Sequence, residues 1–199
     1  MTAIDPDRLR QILARPTGTS SDFDLNPGIV LPPGRVLRPA GVLVPIWDRG
    51  EGADVILTMR SSRLKHHPGQ IAFPGGKVDA GDDGPVGAAL REAEEEIALP
   101  RSRVEVIGTL PTHETVTSFV VTPVVGLVRG EFTPEPEAGE VQEVFSVPLR
   151  HVTDPTRFSI ERRQWRGEWR SYYVVPWGPH YIWGATARIL RGLAERFAA

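Results

Sequence analysis

Three acidic residues, Glu92, Glu95 and Glu96, stand at spacings i, i+3 and i+4 in the run Ala88-Ala89-Leu90-Arg91-Glu92-Ala93-Glu94-Glu95-Glu96, where almost every residue is a good helix former. At about 100° per residue they share one sector of a helix, and Glu94 points away from it. Like charges four residues apart destabilise a helix by roughly 0.2–0.5 kcal/mol per pair. Carboxylates in the last turns also oppose the helix dipole, each by up to about 1 kcal/mol. Arg91 offsets part of this through Glu95 but cannot neutralise three acids. A hard divalent cation can, because Mg2+ takes oxygen ligands and is shared between a few carboxylates and substrate phosphates. The alternative is a solvated Glu/Ala-rich helix. The upstream glycines, Gly75 and Gly76, favour the ligand reading, since they let backbone and ligand approach closely.

The helix that carries these acids has its own start and stop signals. Asp83 stands at the N-cap position, Pro85 in the first turn, and Pro100 beyond the far end. Val86, Leu90, Ala93 and Ile97 form a narrow apolar stripe expected to face the core. Residues 5 to 14 read as a short helix with Leu9, Ile12 and Leu13 on one side and Asp5 near its start. Pro16, Pro27, Pro32, Pro33 and Pro39 make the stretch from Arg15 to Pro39 irregular, either an arm over the domain or toward a second subunit, or a surface loop.

Ala40 to Trp47 and Ala53 to Arg60 are β-rich runs separated by Asp48-Arg49-Gly50-Glu51-Gly52, which predicts a hairpin or adjacent strands. Val104 to Leu110 and Ser118 to Val128 read as strands, the second apolar and β-branched enough to be central. Glu131 to Glu140 is an acidic, Pro-rich loop, and Val141 to Val147 a shorter strand. Arg157 to Val175 reads as a second hairpin turning near Arg166-Gly167. A closing helix is expected from His180 to Phe197, with Ile182, Ala185, Ile189, Leu193 and Phe197 at helical spacing. The expected organisation is an arm over residues 1–39 and a single α/β domain over 40–199, a mixed sheet with helices on either side.

With 199 residues the chain suits one well-buried domain and is short for two. A formal net charge of −2 gives no support to a nucleic-acid binder. The absence of cysteine excludes disulfides, thiol nucleophiles and thiolate metal sites, and fits a cytoplasmic protein. The opening MTAIDPDRLRQILARP lacks the apolar core of a signal peptide, and no apolar run approaches the roughly 18–20 residues of a membrane span. A soluble, cytoplasmic protein is the expectation.

The stretch from Gly76 to Leu99 resembles the Nudix box, G-x5-E-x7-R-E-U-x-E-E-x-G-U, where U is bulky and apolar. Gly76 matches the first glycine, and Arg91-Glu92-Ala93 with Glu95-Glu96 match the REU-EE core. Asp82 stands where the first Glu is expected, the next spacer is one residue longer, Ala93 is small for U, and Ala98 replaces the later glycine. The longer spacer and the Asp are shared with the coenzyme A diphosphatase branch. That branch is also resembled just upstream, in Leu57-Thr58-Met59-Arg60-Ser61 followed by Leu64, His67, Gly69, Gln70, Phe73, Pro74, Gly75 and Gly76. The likeness continues through Val116-Thr117, Val121 to Gly126, and Trp183-Gly184 with Thr186-Ala187.

The resemblance implies an α/β/α sandwich with a mixed β-sheet and the box on one side. It implies metal-dependent hydrolysis of the diphosphate of coenzyme A or its derivatives, with Mg2+ or Mn2+ held by Glu92, Glu95 and Glu96. Arg91 would orient a box glutamate, and Gly75 and Gly76 would shape the diphosphate cradle. Arg60 and His67 are phosphate-contact candidates, since Arg offers a planar fork of donors and His a titratable one; Gln70 can read a neutral polar group. An ion pair to the box helix and a structural histidine are the alternatives, and His66 reads as solvated. In many Nudix enzymes a carboxylate from the region of Glu140 and Glu143 assists the metal or acts as base, and Glu140 is the better match. The arginines at 157, 162, 163, 166 and 170 suit an extra phosphate, a dimer partner or a solvated face. Trp165, Trp169, Trp177 and Trp183 suit adenine stacking or packing. A homodimer is common in the family. A broader diphosphatase acting on ADP-ribose, NADH or nucleoside triphosphates, and a catalytically silent nucleotide-binding domain, are the competing functions.

Overall fold

The computed structural model describes residues 4–31, 33–50, 52–165 and 167–199. Residues 1–3, Pro32, Glu51, Arg166 and the side chain of Trp165 lie outside the described residues, and with them those parts of the expected arm, turn, arginine set and tryptophan set. In chain order, α1 (Pro6–Leu13) is followed by β1 (Ser20–Ser21), β2 (Arg38–Asp48), β3 (Ala53–Arg60), β4 (Ile71–Ala72) and β5 (Gly75–Lys77). Then come α2 (Gly84–Ile97), β6 (Val104–Thr109), β7 (His113–Glu114), β8 (Phe119–Val128) and β9 (Val141–Pro148). The remainder is α3 (Leu149–Val152), a hairpin of β10 (Ser159–Trp165) and β11 (Glu168–Val174), and α4 (Gly184–Ala198).

Strand β8 is central, as its apolar, β-branched run predicts. It lies parallel to β2, with Arg38 opposite Phe119 and Trp47 opposite Val128, and antiparallel to β6 and β7 on its other side. Beyond β2 come β3 and β5, both antiparallel to it, and β3 in turn pairs with β4 and β9. The mixed sheet has nine strands among the described residues. Side chains alternate across it with a period of two. Leu43, Trp47, Ile56, Val124 and Val128 pack with Ala89, Ala93 and Ile97 of α2. Val44, Ile46, Val55, Leu57, Val125 and Leu127 pack on the opposite face with residues of α1 and α4, including Leu9, Leu13, Leu190 and Leu193. The α/β/α layering follows, because a sheet apolar on both faces must be covered on both. No helix among the described residues is long and apolar enough to cross a membrane.

Helix α1 forms as its sequence predicts: Asp5 caps it by accepting from the Asp7 N–H at 2.9 Å, and Leu9, Ile12 and Leu13 are buried. The expected stripe of Val86, Leu90, Ala93 and Ile97 does pack against the core, Val86 and Leu90 partly buried, and the deepest face adds Ala88, Ala89 and Glu96. Small residues on that face allow the helix backbone to rest on β2. A Cβ on Gly41 would collide with the Pro85 carbonyl oxygen and come within 3.1 Å of the Ala89 nitrogen. One expectation is corrected: the closing helix begins at Gly184, not His180. Residues 177–180 close a tight turn through paired Trp177 and His180 backbone bonds of 2.9 Å, and Val175 N–H donates to the Ile182 carbonyl, so Ile182 is buried from extended backbone.

The arm wraps its own domain. Ser20 and Ser21 run parallel to His113 and Glu114, and the fully buried His113 joins the two segments. Its Nε2 lies 3.0 Å from Asp22 Oδ1 and its Nδ1 2.8 Å from Ser20 Oγ. A carboxylate only accepts, so Nε2 carries a proton and donates it to Asp22. Asn26 exchanges bonds with the Ser171 backbone, and Asp24 pairs with Arg188 at 2.7 Å.

At the end of α2, Ala98 adopts the left-handed conformation, φ 55° and ψ 30°, and its N–H closes on the Glu94 carbonyl. A Cβ is disfavoured there by about 1 kcal/mol or more, and Ala98 is exposed, so its methyl recovers little by packing. Ala98→Gly should therefore stabilise the protein by about 0.5–1 kcal/mol, read as a higher midpoint in urea at unchanged slope. An unchanged or lower midpoint would show that the strain is relieved elsewhere.

Candidate active site

The site begins where β5 joins α2 across β2. Gly75 and Gly76 pair with Val42 and Gly41, which puts the glycine backbone directly beneath the helix. Gly75 N–H donates to Glu96 Oε2 at 3.2 Å. A Cβ on Gly76 would collide with the Glu92 carboxylate, which could hold its present place only over a glycine. Two of the three box glutamates thus lie over the glycine strand. Glu95 is turned outward, its side chain 59% exposed.

Arg91 organises the opposite side of the helix. Its Nε and Nη2 donate to the two oxygens of Asp82 at 2.9 and 3.0 Å. Its Nη1 reaches Glu92 at 3.1 Å and Glu95 at 2.9 Å, and Nη2 also donates to the Lys77 carbonyl. The fork on Asp82 raises the Arg91 pKa and holds the Asp82 carboxyl below its ordinary range. Asp82, a departure from the box at the level of sequence, is therefore the clamp that fixes Arg91 against the loop.

Glu96 is 5% exposed, and burial pushes its carboxyl up to about 8. The charges of Glu92 and Glu140 push the same way, against the Gly75 N–H and the Arg60 guanidinium. Glu92 is raised too, first by burial, with Glu95 and Glu140 adding and Arg91 opposing. Glu140 is brought to this cluster by the acidic loop, whose backbone caps α2: Glu135 N–H donates to the Ile97 carbonyl and Glu137 N–H to that of Glu96. The Glu140 backbone is held in turn, its N–H on Glu137 and its carbonyl accepting from Ser61 N–H at 2.8 Å. Glu143 belongs elsewhere, facing His180 Nε2 at 3.6 Å.

Among the described residues, no three acidic or histidine side chains converge into a preformed metal cage. The donor set nevertheless fits a hard divalent cation. It is all oxygen, and burial together with mutual repulsion disfavours charge on Glu92 and Glu96, a cost that a nearby cation relieves.

Beside the acids lies a cleft of about 480 Å3. Arg60, His67, Gln70 and Gly75 all line it, as the sequence reading grouped them; Gly76 sits behind, under Glu92. Arg60 ends β3 where the pairing with β9 slips between Met59 and Arg60, an irregularity of the kind that re-aims side chains beside a site. The loop between Arg60 and Gln70 is closed by Arg60 N–H on the Gln70 carbonyl and Gly69 N–H on the Arg60 carbonyl, both 3.0 Å. His67 stands in it at φ 55°. Val116, Thr117, Trp183 and Thr186 line the same cleft, so segments more than a hundred residues apart meet there. Of the tryptophans with described side chains, Trp183 lines the cleft, Trp177 packs against His151, and Trp169 is exposed. Asp22 and Asn26 of the arm also line it, and sequence reading missed them, since nothing in a Pro-rich loop signals contact with His113 ninety-one residues on.

Residues 37–169 match the family described as "NUDIX domain". A protein of Enterobacter sp. (strain 638) described as "Uncharacterized Nudix hydrolase NudL" is 44% identical over 157 residues, 79% of this chain and 81% of that one. Its namesake in Escherichia coli (strain K12) is 43% identical over the same length. The crystal structure of a MutT/nudix family protein from Enterococcus faecalis superposes with a TM-score of 0.53 at 16% identity, covering 86% of this chain and 66% of that one, which bears on fold alone.

The raised Glu96 pKa sets a sign for stability without metal. Between about 4.5, its ordinary value, and about 8 the folded chain holds a proton that the unfolded chain has lost. Stability should fall as pH rises through that window. In chelator, the melting temperature of the native chain should drop more from pH 5 to pH 8 than that of Glu96→Gln; parallel curves would show that Glu96 ionises without penalty.

Proposed function

This chain belongs to the Nudix family, and we propose that it hydrolyses the diphosphate bond of coenzyme A and its derivatives, releasing 3′,5′-adenosine bisphosphate and 4′-phosphopantetheine. One observation carries the reading. The segments that resemble the coenzyme A branch, around Arg60 to Gly75, Val116-Thr117 and Trp183 to Thr186, all line one cleft, and that cleft adjoins Glu96. Residues of a mere scaffold have no need to converge on a ligand-sized space.

Nudix hydrolases generally use divalent cations such as Mg2+ or Mn2+, and Glu92, Glu95 and Glu96 are the residues that would hold one. Such a cation, when bound, neutralises diphosphate charge and lowers the pKa of a bound water. Arg60 and His67 bind the phosphate oxygens from the cleft wall, where an Arg fork matches phosphate geometry. Gln70 reads a neutral polar group of the substrate. The Gly75-Gly76 backbone leaves room for the diphosphate to approach the acids. Arg91, locked by Asp82, keeps Glu92 and Glu95 oriented. A carboxylate, Glu140 or one of the box glutamates, takes the proton as water attacks phosphorus.

Coenzyme A, ADP-ribose and NADH compared with Mg2+ or Mn2+ and with chelator, products resolved by chromatography, test the reading. Metal-dependent release of 3′,5′-adenosine bisphosphate, with coenzyme A well ahead, is expected. Equal or better rates on ADP-ribose or NADH would replace it with a broader diphosphatase, and binding without hydrolysis would indicate a sensor domain. Glu95→Gln should keep the native melting transition, Glu96→Gln should still melt cooperatively with a weaker pH dependence than the native chain, and each should lose about 100-fold or more in kcat; a variant near the native rate would remove that residue from the machinery.

A further inference from the structure

We infer that the hairpin end of the cleft is a second anion subsite, in which Arg163 and Arg170 take a phosphomonoester carried on the ribose of the same nucleotide whose diphosphate lies beside α2. The inference rests on the coenzyme A reading and extends it to residues outside both the box and the upstream signature. Arg163 on β10 and Arg170 on β11 are directly opposed partners of the hairpin, so both leave the same face, and both line the cleft. Like charges set opposite one another across a strand pair repel. An anion between them relieves that cost, as a cation does for the glutamates at the other end.

The other described arginines of the segment, Arg157 and Arg162, are used differently. Arg157 pairs with Asp154 at 3.3 Å, and Arg162 lies over the exposed ring of Trp169, away from the cleft. The Arg163 guanidinium lies 4.7 Å from the ring centroid of Trp183, which also lines the cleft. Arg163 is in no ion pair among the described residues. An aromatic floor of this kind holds the planar fork in place, and a guanidinium fork fits a phosphate bidentately. The acid on the same wall, Asp22, does not compete: Oδ1 accepts from His113 and Oδ2 from the Val116 N–H at 2.9 Å. The cleft volume of about 480 Å3 suits one nucleotide-sized ligand spanning both ends.

Calorimetry of the full chain with 3′,5′-adenosine bisphosphate and with AMP tests the subsite without turnover. The bisphosphate should bind about tenfold to hundredfold tighter, the range expected of one or two charge-assisted hydrogen bonds. Arg163→Gln and Arg170→Gln should each lose most of that preference, and Arg163→Lys should keep part of it. Equal affinities in the native chain, or a preference intact in both glutamine variants, would overturn the inference. Relative kcat/KM on coenzyme A and 3′-dephospho-coenzyme A separates the two readings. A preference for the bisphosphate without coenzyme A hydrolysis supports the subsite and overturns the substrate. Coenzyme A hydrolysis with no preference over the dephospho form overturns the subsite and leaves the substrate standing.

Discussion

The close approach of α2 to the sheet is the constraint on which the site depends. The helix backbone meets β2 at Gly41, where Pro85 and Ala89 approach most closely, and Ala88, Ala89 and Ala93 keep that part of the contact face small. That proximity brings the glutamate sector over the β5 glycines. One carboxylate is tied to the Gly75 N–H, another is pressed over Gly76, and both are drawn out of water. Desolvation then does what pairing cannot undo: Arg91 reaches Glu92 and Glu95, but Glu96 has one backbone donor and the distant pull of Arg60. The chain maintains, in its folded state, a crowded set of carboxyl groups on which charge is unfavourable. Such crowding is tolerated only where the rest of the fold over-determines it, and carboxyl groups perturbed in this way cluster at functional sites.

Several weak devices together over-determine it. The Asp82–Arg91 fork holds the loop before the helix, and the 131–140 loop donates backbone hydrogen bonds to the last carbonyls of α2, groups that would otherwise face the same crowded end. That loop also delivers Glu140. An acidic, Pro-rich segment that looks like solvent-exposed padding thus caps a helix and completes a charge cluster. The exposed Arg91–Glu95 contact adds only a few tenths of a kcal/mol; its importance is geometric.

The cleft is divided along the same lines. Its Gly75 end abuts the carboxyl groups of α2 and is fixed by the sheet. Its far end is built from the arm, the β7–β8 loop and the β10–β11 hairpin, held by bonds between remote segments such as Asn26 with Ser171 and Asp22 with His113. A rigid chemical end and a wall assembled from peripheral segments is an arrangement in which the bond cleaved and the molecule recognised are set by different parts of the chain.

Most elements and the acidic sector were legible in the sequence. Periodicity and punctuation located α1, α2, the β2–β3 hairpin and the central β8, because each is written in local patterns of burial and capping. The i, i+3, i+4 spacing put Glu92, Glu95 and Glu96 on one sector, and the signature from Arg60 to Gly76 named five residues that line the cleft, Arg60, His67, Gln70, Phe73 and Gly75. Which glutamate is buried, the Asp82 clamp on Arg91 and the placing of Ile182 before α4 came only with the tertiary contacts, which also bring Glu140, the better sequence match, toward Glu92 and Glu96. The fold alone brought Asp22, Asn26, Arg163 and Arg170 to the cleft. Those outcomes depend on contacts between residues far apart in the chain, where burial, register and the few ångströms allowed by a glycine are settled by packing and leave no trace in local composition.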